Sequence, residues 1–210
     1  MSTTDVAGNA EPTPSLRVLT VCTHNRTRSV MMEALLRSML AERLDLGVVT
    51  FRSAGFGPAG IPAIPDAIEA MRRRGLDISD HRSRPVDAGI LAESDLVLAT
   101  ERDHVIRIAS MDPAAYRRSL TLPEFVAAAS RRDGDIAGDT EFASWLQAIT
   151  QPRTAAAYLR DPVEEVSDPT GLARQAFERA VKEIEAQCAS AAALIARVLE
   201  GTGGSAVYGR

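Results

Sequence analysis

Hydrophobic positions along this chain follow two alternating rhythms. Residues 16–22 form an apolar, β-branched run that ends at Cys22. Helical spacing follows at once, with Met31, Met32, Leu35, Leu36, Met39 and Leu40 on one face of residues 28–43. A second strand pattern, Val48 to Arg52, ends in Ser53-Ala54-Gly55. The Gly/Pro-rich stretch from Gly55 to Pro65 then leads into a helix near 65–74, closed by Gly75. Asp95 to Ala99 reads as strand three, 101–110 as a short helix and Ser119 to Leu122 as strand four. Strands alternating with helices predict an α/β fold, a three-layer αβα arrangement around a central four-stranded parallel sheet. Ligands of such sheets lie beyond the strand C-terminal ends, where Cys22, Ser53 and Thr100 fall.

The stretch of about 123–160 reads as a helical insertion. Two helices, 123–130 and 140–149, flank an Arg/Asp/Gly segment from Arg131 to Gly138. Phe142, Trp145, Leu146 and Ile149 give the second an apolar face, which predicts packing on the core; the alternative is a lid or partner surface beside the site. A last helix is expected over about 170–199. Polar, small and proline-bearing residues predict a disordered tail over 1–14, and glycines a flexible one over 201–210, leaving 15–200 as the domain.

Composition narrows the class. With 210 residues and 45% apolar content the chain can bury one sizeable core. A formal charge of −4 gives no reason to expect a nucleic-acid partner. No apolar run approaches the roughly 18 residues of a membrane span, and no signal-peptide core precedes the first strand, so the expectation is a cytoplasmic protein without a membrane partner. Two distant cysteines fit a reducing compartment better than a disulfide framework. His24, His81 and His104 do not fall at metal-ligand spacing, so neither metal nor other cofactor is expected. Oligomeric state is not legible.

The candidate chemistry lies in Cys22-Thr23-His24-Asn25-Arg26-Thr27-Arg28-Ser29, a Cys-x5-Arg loop between a strand and a helix N-terminus. Such a loop can turn successive N–H groups of residues 23–28 onto one anion, with the helix dipole behind them. The same positive end favours a thiolate at Cys22, and the planar fork of Arg28 can grip two oxygens of a tetrahedral oxyanion. Ser29 can hydrogen-bond the thiolate. A leaving alkoxide or phenoxide needs a proton, and an Asp-Pro on a mobile loop can supply it. Three Asp-Pro pairs compete, at Asp112, Asp161 and Asp168. Asp112 lies too early, and Asp168 is favoured over Asp161 because it sits immediately before the last helix.

Several of these segments, in this order, resemble the low-molecular-weight protein tyrosine phosphatase family, whose fold is shared with arsenate reductases. Ser53-Ala54-Gly55 resembles its second turn. Gly75 to Arg84, with His81, resembles its Gly-Ile…His-x-Ala/Ser-Arg segment. Asp95-Leu96-Val97-Leu98 resembles its third strand, and Val166-Ser167-Asp168-Pro169 with Phe177 its general-acid loop. The resemblance implies Cys22, Arg28 and Asp168 as catalytic residues, and a phosphate cradle from Thr23, His24, Asn25, Arg26, Thr27 and Arg28. It also implies a bracing network of Asn25, Ser29, Ser53 and His81. Thr27 stands where the family usually has a second cysteine, Val30 where it has proline, and Thr170 where many eukaryotic members have tyrosine. His24-Asn25 is nearer the arsenate reductase wording.

The reading implied is hydrolysis of a phosphomonoester, a phosphorylated protein bearing phosphotyrosine or a small phosphate ester, through a cysteinyl-phosphate. Two alternatives stand beside it. One is arsenate reduction with a small thiol, since Cys188 on the last helix is the sole further cysteine. The other is a phosphate-binding module without turnover.

Overall fold

The computed structural model describes residues 16–44, 49–132 and 141–203. Four strands, β1 (Leu16–Cys22), β2 (Val49–Gly55), β3 (Leu96–Ala99) and β4 (Ser119–Thr121), form one sheet in the order β2-β1-β3-β4. Every pairing is parallel, so each strand must be joined to the next by a crossover. The helices are α1 (Arg28–Ala41), α2 (Pro65–Arg72), α3 (Ala88–Ala92), α4 (Arg102–Met111), α5 (Leu122–Ser130), α6 (Phe142–Thr150), α7 (Ala155–Arg160) and α8 (Arg174–Gly203), with a short 3-10 helix at Pro113–Arg118.

Alternation along β1 sorts the three layers. Leu16 and Val18 join the larger apolar cluster with Leu36 of α1, Met71 of α2 and Ile184 and Ile195 of α8. Leu19 and Val21 face the opposite cluster, with Ile90 and Leu91 of α3 and Ile108 of α4. A polar residue, Thr20, is fully buried on the α1 face, where its hydroxyl donates to the Ser29 carbonyl at 2.8 Å. One side chain of the first strand thus ties down the start of the first helix.

The four-stranded parallel sheet and flanking layers are as the periodicity predicts. β2 differs by extending through Ser53-Ala54-Gly55, because its ladder with β1 runs to Cys22 opposite Gly55. No periodic pattern marks α3 or α7, which are only 5 and 6 residues long. The last helix begins at Arg174 rather than 170, because Gly171 at φ +79° and a Thr170 N–H to Asp168 Oδ1 bond of 3.0 Å make residues 168–171 a turn. It continues to Gly203, past the glycine expected to end it. The 1–14 tail, the Arg/Asp/Gly segment from Asp133 to Gly138, and residues 204–210 lie outside the described residues.

Two described helices of the 123–160 stretch, α5 and α6, pack into the core. Thr121 and Glu124 form a reciprocal cap that starts α5 directly from β4. Phe142, Trp145, Leu146 and Ile149 of α6 join the larger cluster, with the Trp145 ring edge-on to Phe125 at 6.0 Å. Among the described residues, no helix is long and apolar enough to cross a membrane.

Candidate functional site

The loop from Cys22 to Arg28 leaves β1 beside β3, at the point where the strand order reverses. That crevice is where an open parallel sheet can receive a ligand. Cys22 is 3% exposed. Its Sγ lies 3.0 Å from Ser29 Oγ and accepts the Asn25 N–H at 3.2 Å.

Asn25 organises the loop. It is the one described non-glycine residue with positive φ, +53°, a conformation asparagine tolerates better than most. Each of its polar groups is used. Its Nδ2 donates to Ser29 Oγ at 3.0 Å, leaving the hydroxyl proton free to point at the sulfur. Its Oδ1 accepts the Arg84 N–H at 2.9 Å, which fixes the amide orientation. His81 Nε2 donates to its carbonyl at 2.7 Å. Gly55 fits beneath because it has no side chain; a Cβ there would lie 2.6 Å from the Asn25 nitrogen. Of the four residues expected in the brace, Asn25, Ser29 and His81 are brought together. Ser53 is not, since its buried hydroxyl has no hydrogen-bond partner. Thr20, from the strand itself, holds Ser29 instead.

The first loop residue has its own support. The Phe56 N–H donates to the Thr23 carbonyl at 2.7 Å. Thr23 Oγ1 lies 3.0 Å from His104 Nε2, and His104 Nδ1 lies 3.2 Å from Thr100 Oγ1. His104 is 1% exposed, stacked on Phe56, and burial drives its pKa down to about 4. It is therefore neutral near pH 7, with one ring nitrogen donating and the other accepting. His24 is exposed, and Arg26 turns aside so that its Nε donates to the Pro62 carbonyl at 2.9 Å.

Thr27 caps α1 without a side-chain bond to its first turn, so the helix N–H groups there remain open to an anion. Arg28, 3% exposed, holds three oxygens. Nη1 meets Glu101 Oε1 at 2.5 Å and the Val166 carbonyl at 3.1 Å; Nη2 meets Asp168 Oδ2 at 2.9 Å. The Asp168 side chain is 48% exposed. Thr170 reaches back to Thr27, hydroxyl to hydroxyl, at 3.3 Å. Neither rival aspartate pairs with Arg28. Asp161 ends α7 with its N–H on Ala157, and Asp112 caps the 3-10 helix and pairs with Arg118 at 3.0 Å.

Sequence reasoning missed Glu101, His104 and Thr20. For Glu101 a signal existed: an acidic residue just beyond the C-terminal end of β3 faces the same crevice as Cys22. Cys188 sits fully buried in α8, its thiol pKa pushed up by that burial. Among the described residues, no group of three or more His, Cys, Asp or Glu could hold a metal ion.

EpsP of Ralstonia nicotianae, a probable low molecular weight protein-tyrosine-phosphatase, is 38% identical over 98 residues, which are 46% of this chain and only 63% of that protein. A protein-arginine-phosphatase of Bacillus subtilis is 38% identical over 110 residues, 52% of this chain and 71% of the relative. An arsenate reductase of Staphylococcus aureus is 38% identical over 91 residues, 43% of this chain and 64% of the relative. The crystal structure of a YwlE mutant from Bacillus subtilis superposes with a TM-score of 0.65 at 25% identity, over 86% of this chain and 98% of that one. The model of the low molecular weight phosphotyrosine protein phosphatases matches residues 17–150, and the chain belongs to that family.

Proposed function

We propose that this protein hydrolyses phosphomonoesters, with phosphotyrosine on a protein as substrate. The observation that carries the reading is the Cys22 sulfur held by Ser29 and Asn25 in a loop whose last residue, Arg28, is bound to Asp168. In the first step the Cys22 thiolate attacks phosphorus in line. An S–P bond forms, the P–O ester bond breaks, and Asp168 passes its proton to the leaving phenolate oxygen. In the second, water attacks the cysteinyl-phosphate, the Asp168 carboxylate takes a proton from it, and inorganic phosphate leaves with the thiolate restored. The Ser29 hydroxyl stabilises that thiolate as the leaving group.

The contacts of Arg28 suggest how acid and substrate are coupled. A bound phosphoryl group takes the place of Asp168 on Nη2, while Glu101 keeps Nη1 in position. The freed Asp168 can then turn toward the leaving oxygen.

Phosphoarginine is a second reading. It is favoured by the similarity to a protein-arginine-phosphatase and by Glu101, an acidic side chain partly exposed in the site and suited to a guanidinium leaving group. Arsenate reduction is less well supported: Cys188 is buried in α8, so a small thiol has to complete that reaction, and it offers Asp168 no leaving alkoxide to protonate.

The test is one preparation assayed with matched phosphotyrosine and phosphoarginine peptides and with arsenate plus a small thiol. The proposal expects kcat/KM for phosphotyrosine to exceed that for phosphoarginine by at least tenfold, with no thiol-dependent arsenate turnover. The reverse preference transfers the assignment to the second reading. Arsenate turnover alone would overturn both.

A further inference from the structure

Two segments that flank the candidate site, 81–85 and 161–168, carry opposite charge. Segment 81–85 lies on the β2 side, where Gly55 and Pro85 form a parallel bridge and Pro62 and Arg82 an antiparallel one. The backbone there is extended, so alternate side chains share a direction. Ser83 points inward, buried, with its hydroxyl donating to the Pro58 carbonyl at 2.7 Å. Arg82 and Arg84 therefore both point outward, and both are exposed. They border the phosphate loop directly, since the N–H of Arg84 and the ring of His81 each hold Asn25. Arg26 joins them through Pro62.

None of the three guanidiniums is within ion-pair distance of a described carboxylate. Arg82 donates only to the Ser79 and His81 carbonyls. The nearest acids in sequence are Asp80, which is exposed, and Asp87, whose carboxylate accepts the Ile90 N–H. By contrast Arg17, Arg52, Arg73 and Arg74 are all matched with acids.

Across the loop, on the β3–β4 side, segment 161–168 carries acids and no arginine or lysine. The segment carrying Asp168 is fastened there by the Val166 N–H on the Thr100 carbonyl at 2.8 Å and by Thr121 Oγ1 on the Glu164 carbonyl at 2.8 Å. It exposes Asp161, Glu164 and Asp168. Strand order β2-β1-β3-β4 puts these acids and the arginines on opposite sides of the loop from β1.

We propose that Arg82 and Arg84, with Arg26 beside them, dock an acidic polypeptide segment on one flank of the phosphorylated residue. The inference rests on the phosphatase reading and deepens it: the substrate is a phosphoprotein whose acidic residues lie on one side of the modified residue only. Acids on that side meet unpaired guanidiniums. Acids on the other side meet Glu164 and Asp161.

Three phosphotyrosine peptides test this: neutral flanks, glutamates on the N-terminal flank, and glutamates on the C-terminal flank. One acidic peptide should exceed the neutral one in kcat/KM by about three- to thirty-fold at low ionic strength, as expected for a few exposed charge pairs. The gap should close as salt shortens the screening length. Arg82→Glu should cut the gap at least in half while leaving turnover of p-nitrophenyl phosphate unchanged; Arg82→Gln serves if the first variant does not fold. Equal kcat/KM for all three peptides, equal gain from either flank, or a gap that keeps more than half its size after the substitution would overturn the proposal. Absence of p-nitrophenyl phosphate turnover would instead defeat the phosphatase reading. Fluorescence anisotropy of the same peptides on Cys22→Ala then still reads the docking rim.

Discussion

The phosphate loop and the Asp-Pro loop meet at Arg28 but are built in opposite ways. Residues 22–29 are mostly buried and densely bonded. Cys22, Asn25, Thr27, Arg28 and Ser29 are each buried, and Asn25 alone engages the sulfur, Ser29, His81 and Arg84. Residues 167–173 are largely exposed, and Asp168 is held by one ion pair and a local turn. The difference suits two tasks. Donors that stabilise a transition state work best when already fixed, since they need not reorganise as charge develops. A proton donor that is bound to the arginine in the free enzyme must let go and turn toward the leaving group. On the proposed mechanism, the protein is buried and densely bonded where it holds charge and exposed where it delivers a proton.

The comparison can be broken first on the exposed side. If Asp168 is the donor, Asp168→Asn should slow tyrosyl phosphate hydrolysis by roughly 10²–10⁴-fold. A highly activated aryl phosphate, whose leaving group departs unaided, should slow far less. Asp161→Asn should alter neither, because Asp161 sits at the end of α7. Steady-state kcat with a leaving-group series reads this directly, and sensitivity at Asp161 in place of Asp168 would move the role.

On the buried side, Asn25→Ala removes two side-chain bonds, strands the Arg84 N–H and keeps a side chain at positive φ. The expected loss is about 2–4 kcal/mol of stability, measured by denaturant unfolding. Activity in the surviving fold should fall about tenfold or more with the nucleophile and acid untouched. A variant as stable and active as the parent would show that the loop keeps its shape without this residue.

A smaller effect concerns His104. Its folded pKa, about 4, lies below the ordinary histidine value of 6.5. Between those values the unfolded chain binds the proton and the folded one does not, so folded stability declines as pH falls through that window. The upper bound is about 3 kcal/mol, less any solvent screening and relaxation of the site. Chemical denaturation at several pH values between 7 and 4 should show the decline in the parent and a flatter profile in His104→Phe. Identical slopes would remove His104 as its source.

The sequence revealed the sheet and the phosphate loop because both rest on local pattern. An apolar strand, an immediate helix and Cys-x5-Arg lie within one short stretch, and the loop network uses Asn25 and Ser29 from the same stretch. What stayed hidden depends on contacts distant in sequence. Glu101 reaches Arg28, and His104 reaches Thr23, only after β3 pairs with β1. Ser53 illustrates the reverse: resemblance placed it in the network, but Thr20 on the neighbouring strand makes the bond to Ser29. α3 and α7 were missed because a helix of five or six residues has too few turns to show a period. Within the 123–160 stretch, α5 and α6 were legible as helices. Their place in the main core was decided by Phe125 and Trp145 meeting across the intervening segment.

The central claim is that Cys22 forms a covalent bond to phosphorus. Rapid acid quenching during turnover of an aryl phosphate, followed by intact mass and peptide mapping, tests it most directly. The account predicts one added phosphoryl group, located on Cys22, present during turnover and absent after substrate is exhausted and in Cys22→Ala. A steady-state mixture that turns over fully with no phosphoryl group on Cys22, or one carrying it on another residue, would contradict it.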